Sequence, residues 1–266
     1  MLRFRLAGSV VGVAAVVALL AAGAGGAARN ATTAGTFVYC SDMTYPPEEF
    51  FQGTTPVGSD IDIGAEIAKR MGAKAQFNNT GFTGIIAALL AKKCDAIISG
   101  MNDTSARRKQ VAFVDYISVG QSLMVKKGNP KAIKTLADLS GKTVSVEVGT
   151  TNKQFLDAQN KVLAKQGKPA IKVTTFPADT DAANALKTGR VDAYFGDSPV
   201  VAYYIARDSS FAFAGSPINP IPVGIALRKG DSRIPAVRKA IAGMYADGTM
   251  KKILKKWKME AFALKK

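Results

Sequence analysis

From Thr36 onward the chain alternates short apolar runs with longer stretches in which apolar residues recur every three or four positions. "TFVYC" (36–40), "AKAQFN" (73–78), "DAIIS" (95–99), "TVSVEV" (143–148), "IKVTTF" (171–176) and "VDAYFG" (191–196) have the length and β-branched or aromatic content of strands. The stretches between them are amphipathic: "DIDIGAEIAKRM" (60–71), "GIIAALLAKK" (84–93), residues 151–165, "TDAANALKTG" (180–189) and "SPVVAYYIA" (198–206). Residues 234–257 read as two helices broken at Asp247-Gly248. Strand and helix in regular alternation, with short connections, predict α/β layers built on mostly parallel strands.

Two segments echo one another. "LLAKKCDAIISG" (89–100) and "LKTGRVDAYFGD" (186–197) share a leucine, an Asp-Ala six residues on, and a small polar end. Each reads as a helix, a tight turn and a short buried strand, which predicts two similar lobes. In parallel α/β sheets, ligands sit beyond the carboxyl ends of the strands. The echo aims Ser99-Gly100-Met101-Asn102 and Gly196-Asp197 at one cleft. The alternative is a repeated α/β hairpin with no shared site.

Composition refines this picture. Arg3 and Arg5 precede the apolar stretch Leu6 to Ala22, followed by "GAGGAA", which predicts an export signal over 1–28 with cleavage at about 24–34. An uncleaved anchor is the alternative, because the apolar stretch approaches the ~20 residues that span a bilayer. No cysteine ends that stretch, so no lipid anchor is expected. The charge of +16 is spread along helices as in "KKILKKWK", without interleaved aromatics. Solvated helix faces account for it, a surface for an acidic partner is the other reading, and nucleic acid is not expected. With no histidine and only two cysteines, a zinc site of the usual kind is excluded, and no cofactor is expected. Cys40 closes one strand and Cys94 opens another. Parallel neighbours would hold the two thiols at opposite ends, so both are expected to be buried and free.

Candidate chemistry clusters at strand ends. Arg107 lies far enough past "DAIIS" to fold back over that end, and its planar guanidinium suits a carboxylate; a solvated helix arginine is the plainer reading. "EVGTTNKQF" (147–155) follows a strand and opens a helix, so Gly149 and the amides of Thr150, Thr151 and Asn152 form an anion site, or simply a threonine cap. Asp42, Glu147 and Asp197 stand at or just past strand ends and suit ammonium groups, although Asp197 also fits a helix cap before Ser198-Pro199. Tyr45 and Phe82 are candidate walls, or ordinary packing residues. Together these residues match a zwitterion.

Here the chain resembles the periplasmic solute-binding proteins of ABC importers for polar amino acids. "SDMTYPPEEF", "GSDIDIGAEIAKRMG", "GFTGIIAALLAKKCDAIISGMNDTSARR", "VGTT", "GRVDAYFGDSP" and "ADGTMKKILKKW" stand in the family's order and spacing across nearly the whole mature chain. The resemblance implies a two-lobe α/β fold (type II), each lobe a mostly parallel sheet flanked by helices and joined by a two-strand hinge. Lobe one would span 36–121 plus 217–266, and lobe two 122–216. It implies that Arg107 grips an α-carboxylate, helped by amides at Asn102 and Thr151. Asp197 would take the α-ammonium with the Gly100 carbonyl and the side chain of Asn102, whose amide oxygen stands where relatives carry Ser or Thr. Tyr45 and Phe82 would sandwich the ligand stem; Ser99, Asn152 and Asp42 complete the set, with Asp42 at the distal end. If Glu147 faces the cleft beside Asp42, a basic side chain is preferred over an acidic one. The resemblance further implies a monomer that binds a free amino acid outside the cytoplasm, in a periplasm or at the cell surface, and presents it to a membrane permease. The alternatives are a dehydratase-like enzyme on the same fold and a sensor module for a separate receptor.

Overall fold

The computed structural model describes residues 35–265; the expected export signal lies outside the described residues. Strand β1 (Thr36–Ser41) leads into a small hairpin sheet, β2 (Thr44–Tyr45), β3 (Glu49–Gln52) and β4 (Thr55–Val57). Helix α1 (Ser59–Arg70) follows, with Ile63, Ile67 and Ala68 buried on one face. Asp60 and Asp62 in its first turn and Lys69 and Arg70 in its last complement the helix dipole. Next come β5 (Lys74–Asn79), α2 (Ile85–Leu90), β6 (Ala96–Ile97), the single turn α3 (Ser105–Arg108) and the long strand β7 (Val111–Lys126).

The second stretch repeats the pattern with β8 (Thr143–Glu147), α4 (Thr151–Lys165), β9 (Lys172–Phe176), α5 (Asp179–Lys187), β10 (Ala193–Asp197) and α6 (Ser198–Arg207). A second long strand, β11 (Phe211–Arg228), returns the chain, and α7 (Ile234–Ala246) and α8 (Thr249–Lys256) close it. The break between these helices falls where the sequence placed it, at Gly248 with φ 79°.

The main sheet runs β5-β1-β6-β11-β7-β10-β8-β9. β1 is parallel to β5 and β6, and β8 is parallel to β9 and β10, so the carboxyl ends of each parallel group face the middle of the molecule. The two long strands pair antiparallel with each other and run through both halves. Buried clusters around Ile63, Ile98 and Tyr116, and around Ile85 and Leu89, fill one half; clusters around Val144, Leu156 and Phe195, and around Leu186 and Tyr194, fill the other. All six strands and the helices read from periodicity are present. The crossing strands were not legible from periodicity and were expected only from the resemblance, as the two-strand hinge. Pro217, Pro220 and Pro222 make β11 read as a loop, and it survives because it departs from regular pairing between Ala214 and Ile218 and again between Ile218 and Ile221.

One expectation is corrected. Cys40 and Cys94 are joined by a disulfide, with their Cα atoms 5.6 Å apart. The expectation of free thiols assumed that β6 begins at Cys94. It begins at Ala96, and a bend over residues 93–95 turns the chain back along β1 and brings Cys94 to Cys40. Among the described residues no helix is long and apolar enough to cross a membrane.

Candidate functional site

A narrow cavity of about 10 Å³ lies where the two parallel groups meet. It is lined by Asp42, Tyr45, Glu49, Phe82, Gly100, Asn102, Glu147, Thr150, Asn152 and Asp197. Its volume is about the room one water needs. Eight of the eleven residues singled out from sequence are in its wall, drawn from both halves. Ser99, Arg107, Thr151 and the crossing-strand residue Gln121 stand behind that wall.

Each wall residue is held by its own local chemistry. Asp42 follows β1; its carboxylate accepts the backbone N–H of Phe82 at 2.6 Å and the Thr44 hydroxyl at 2.8 Å. Ser99 accepts from the Asp42 N–H at 2.9 Å and donates to Glu49 at 2.8 Å. Gly100 has φ 48°, and a Cβ there would lie 2.9 Å from the Tyr45 ring, so both conformation and contact demand glycine. Its N–H donates to Asp60, which also accepts from Tyr116 at 2.6 Å. Tyr45 packs into the cluster of Leu186 and Tyr194, so this aromatic wall bridges the two halves.

Arg107 is buried although charged. Its backbone N–H is capped by the Thr104 side chain, which sets the direction of the short helix. Nη1 donates to the Asn102 carbonyl at 2.8 Å, Nη2 to the Gly149 carbonyl at 3.2 Å, and the guanidinium lies 5.2 Å from the centroid of the Phe82 ring. Burial pulls its pKa down while Asp197, Tyr45 and Glu147 push it back up, so an arginine here keeps its charge.

On the opposite wall, Thr150 caps α4 by accepting from the Lys153 N–H and donates its own hydroxyl to the Glu147 carbonyl at 2.8 Å. Asn152 donates to Asp197 at 3.1 Å, and Thr151 donates to the Asn102 amide oxygen at 2.6 Å. The capping alternative for Asp197 does not hold: it precedes α6 but makes no side-chain cap.

The cavity is acidic. Burial pushes the Asp197 carboxyl up to about 6, against the hydrogen bond from Asn152, the nearby polar groups of Tyr45 and Asn102 and the charge of Arg107. Asp42 is raised by burial, and Glu147 is raised well above the carboxylate range by burial and then by the charges of Asp179 and Asp42. Glu147 Oε1 has no hydrogen-bond partner among the described residues. Asp179 was not singled out from sequence. It opens α5, where an aspartate reads as an ordinary helix-start residue, but its carboxylate accepts from Tyr194 at 2.5 Å and Tyr204 at 3.0 Å, and burial lifts it to about 7. Its N–H donates to the Thr44 hydroxyl at 3.2 Å, tying α5 to β2. Glu49 and Asp60 were also missed, because neither follows a strand of the main sheet. Among the described residues no group of three or more His, Cys, Asp or Glu side chains is arranged to hold a metal ion.

Comparison with known proteins gives a consistent result. Residues 37–260 match the model of the bacterial extracellular solute-binding proteins, family 3. ABC transporter arginine-binding protein 1 of Escherichia coli (strain K12) is 32% identical over 221 residues, which cover 80% of this chain and 87% of that protein. The solved structure of an ancestral arginine-binding protein bound to arginine superposes with a TM-score of 0.77 at 39% identity, covering 84% of this chain and 98% of that one. The ancestral amino acid-binding protein AncCDT-1, a precursor of cyclohexadienyl dehydratase, superposes with a TM-score of 0.74 at 36% identity, covering 84% and 95%. The chain belongs to the bacterial extracellular solute-binding proteins, family 3.

Proposed function

For a chain of this solute-binding family we propose that it is the extracytoplasmic binding component of an amino-acid ABC importer, closing on an L-amino acid with a cationic side chain. The observation that carries the reading is the charge pattern of the cavity. A buried arginine and the amides of α4 stand at one end, Asp197 beside them, and Asp42, Glu147 and Asp179 beyond. Arg107 would exchange a carbonyl contact for the α-carboxylate, and Asp197 with the Gly100 carbonyl would hold the α-ammonium. Tyr45 and Phe82 would cover the stem. A guanidinium or ammonium group would offset the repulsion among the buried carboxylates past them. Two unit charges about 4 Å apart interact by about 4 kcal/mol at an effective dielectric near 20.

Residues 36–121 with 217–266 form lobe one in this reading, and 122–216 lobe two, with β7 and β11 as the hinge. Closure is favoured because the ligand touches both lobes. The closed monomer would then be presented to a membrane permease outside the cytoplasm. Relatives named for arginine fit this charge pattern. A panel of the common L-amino acids, screened by thermal shift and then calorimetry on ligand-stripped protein, tests it: arginine or lysine is expected to bind and glutamate is not. Equal binding of glutamate and arginine would overturn the side-chain reading, and silence across the panel would overturn the amino-acid reading. A second reading, a dehydratase-like enzyme, is raised by the likeness to AncCDT-1. Turnover of prephenate or arogenate in an absorbance assay would support it.

A further inference from the structure

Gln121 has no place among the ligand contacts considered so far, yet it is fully buried at the centre of the crossing strand β7. Its backbone pairs with Asp197 of β10 on one side and Ile218 of β11 on the other, which fixes its position against both. Its side-chain Nε2 donates to the Thr151 hydroxyl at 3.1 Å. Thr151 then spends its single proton on the Asn102 amide oxygen at 2.6 Å. The chain Gln121–Thr151–Asn102 runs from the crossing strand through the first turn of α4 to the opposite wall of the cavity.

The direction of this chain has a chemical consequence. With its oxygen occupied, Asn102 turns Nδ2 toward the cavity, where that donor is buried and has no partner among the described residues. It lies close enough to Asp197 to favour the charged carboxylate. Reversing every link would place the Asn102 oxygen against the Asp197 carboxylate, acceptor against acceptor. It would also exchange the unpaired atom on Gln121, now Oε1, for an unpaired N–H, and orphaned buried donors are the rarer defect.

We propose that Gln121 is a positioning residue that holds Asn102 as a hydrogen-bond donor, so that Asn102 serves Asp197 and the α-carboxylate of the ligand and not the α-ammonium. This rests on the amino-acid reading above and reverses the role that the resemblance implies for position 102. A serine or threonine there can both donate and accept with one atom. Asparagine divides the two roles between two atoms, and its orientation decides which one the ligand meets.

Asn102→Asp tests the donor directly, because it keeps the size and the oxygen and replaces only Nδ2 by an acceptor. Calorimetry with L-arginine as the probe is expected to show a fall in affinity of about 10- to 100-fold, the loss of one hydrogen bond to a charged group. Gln121→Met keeps the length and removes the orienting donor, and a fall of about fivefold is expected. In the Asn102→Asp background the same change is expected to cost nothing further. If Gln121→Met does not fold, Thr151→Val breaks the same chain at its middle link and is expected to be non-additive with Asn102→Asp in the same way. An Asn102→Asp protein that binds L-arginine as tightly as wild type, or more tightly, overturns the proposal, as do strictly additive effects. Wild-type protein that binds none of L-arginine, L-lysine, L-histidine and L-glutamine overturns the amino-acid reading and the proposal with it; wild-type binding with an unaffected Asn102→Asp overturns the proposal alone.

Discussion

The guanidinium of Arg107 lies over the ring of Phe82, 5.2 Å from its centroid, and the hydrogen bonds of Arg107 reach a carbonyl in each half of the molecule. The ring fixes the plane of the fork, and the carbonyls fix its rotation. Arg107→Lys keeps the charge but not the two parallel donors. A loss of affinity for the bound amino acid of about 100-fold is expected in calorimetry, with the melting temperature of the ligand-free protein changed little.

Glu147 and Asp42 come from opposite halves and both line the cavity. Glu147→Gln removes one acid without changing shape. The preference for L-arginine over L-glutamine is expected to fall by about tenfold or more, measured as the ratio of dissociation constants. The ligand-free protein is expected to melt higher, because fewer like charges are buried together.

The pH dependence follows from Asp197 and Asp179, lifted from 3.8 to about 6 and about 7, chiefly by burial. A carboxyl whose pKa is higher in the folded protein contributes stability that is full below the unfolded value and lost as pH rises through the folded one. The melting temperature of the ligand-free protein is expected to fall between about pH 4 and 7, and Asp197→Asn is expected to flatten part of that slope. An α-ammonium beside Asp197 favours its charged form. Ligand affinity is therefore expected to rise from pH 5 to 7, by up to tenfold per unit below the pKa of Asp197, which calorimetry at several pH values would read directly.

The Cys40–Cys94 disulfide closes a loop of 54 residues. In the chain-entropy model a loop of that length contributes about 4 kcal/mol. A Cys40→Ala, Cys94→Ala double variant is expected to lose stability of that order in urea titrations. Ligand affinity is expected to change less than threefold, since neither cysteine lines the cavity.

Phe50 of the hairpin sheet meets Tyr203 of α6 with ring centroids 5.5 Å apart, and also meets Trp257 at 5.9 Å. On the proposed closure, Tyr203→Ala is expected to weaken ligand binding about three- to tenfold without touching the ligand, by removing a contact between the two halves. The chain has one tryptophan. Its emission is therefore expected to change on ligand addition in wild type and to change less in Tyr203→Ala.

Much of this molecule was legible locally. The apolar periods marked the strands and helices because each element buries one face, whatever it packs against. The repeated "DA" hairpins aimed Asn102 and Asp197 at a common place because parallel strands bring their carboxyl ends together. Arg107, Tyr45 and Phe82 stood out as residue types with chemistry to offer just beyond those ends.

What pairing across the chain decides was not legible. Asp179 and Glu49 look like any helix-start or hairpin acid until folding places Glu49 in the cavity wall and Asp179 near it. The orientation of Asn102 depends on a glutamine nineteen residues away and on a threonine from the other half. The disulfide depends on a bend of three residues, and the proline-rich β11 becomes a strand only because β7 lies beside it. By itself the sequence determined the elements, the strand-end residues and the family they match, since those follow from side-chain type and local period. Only the tertiary structure decided which carboxylates share one buried volume and which way each donor points, because burial and hydrogen-bond direction arise between segments that the chain keeps far apart.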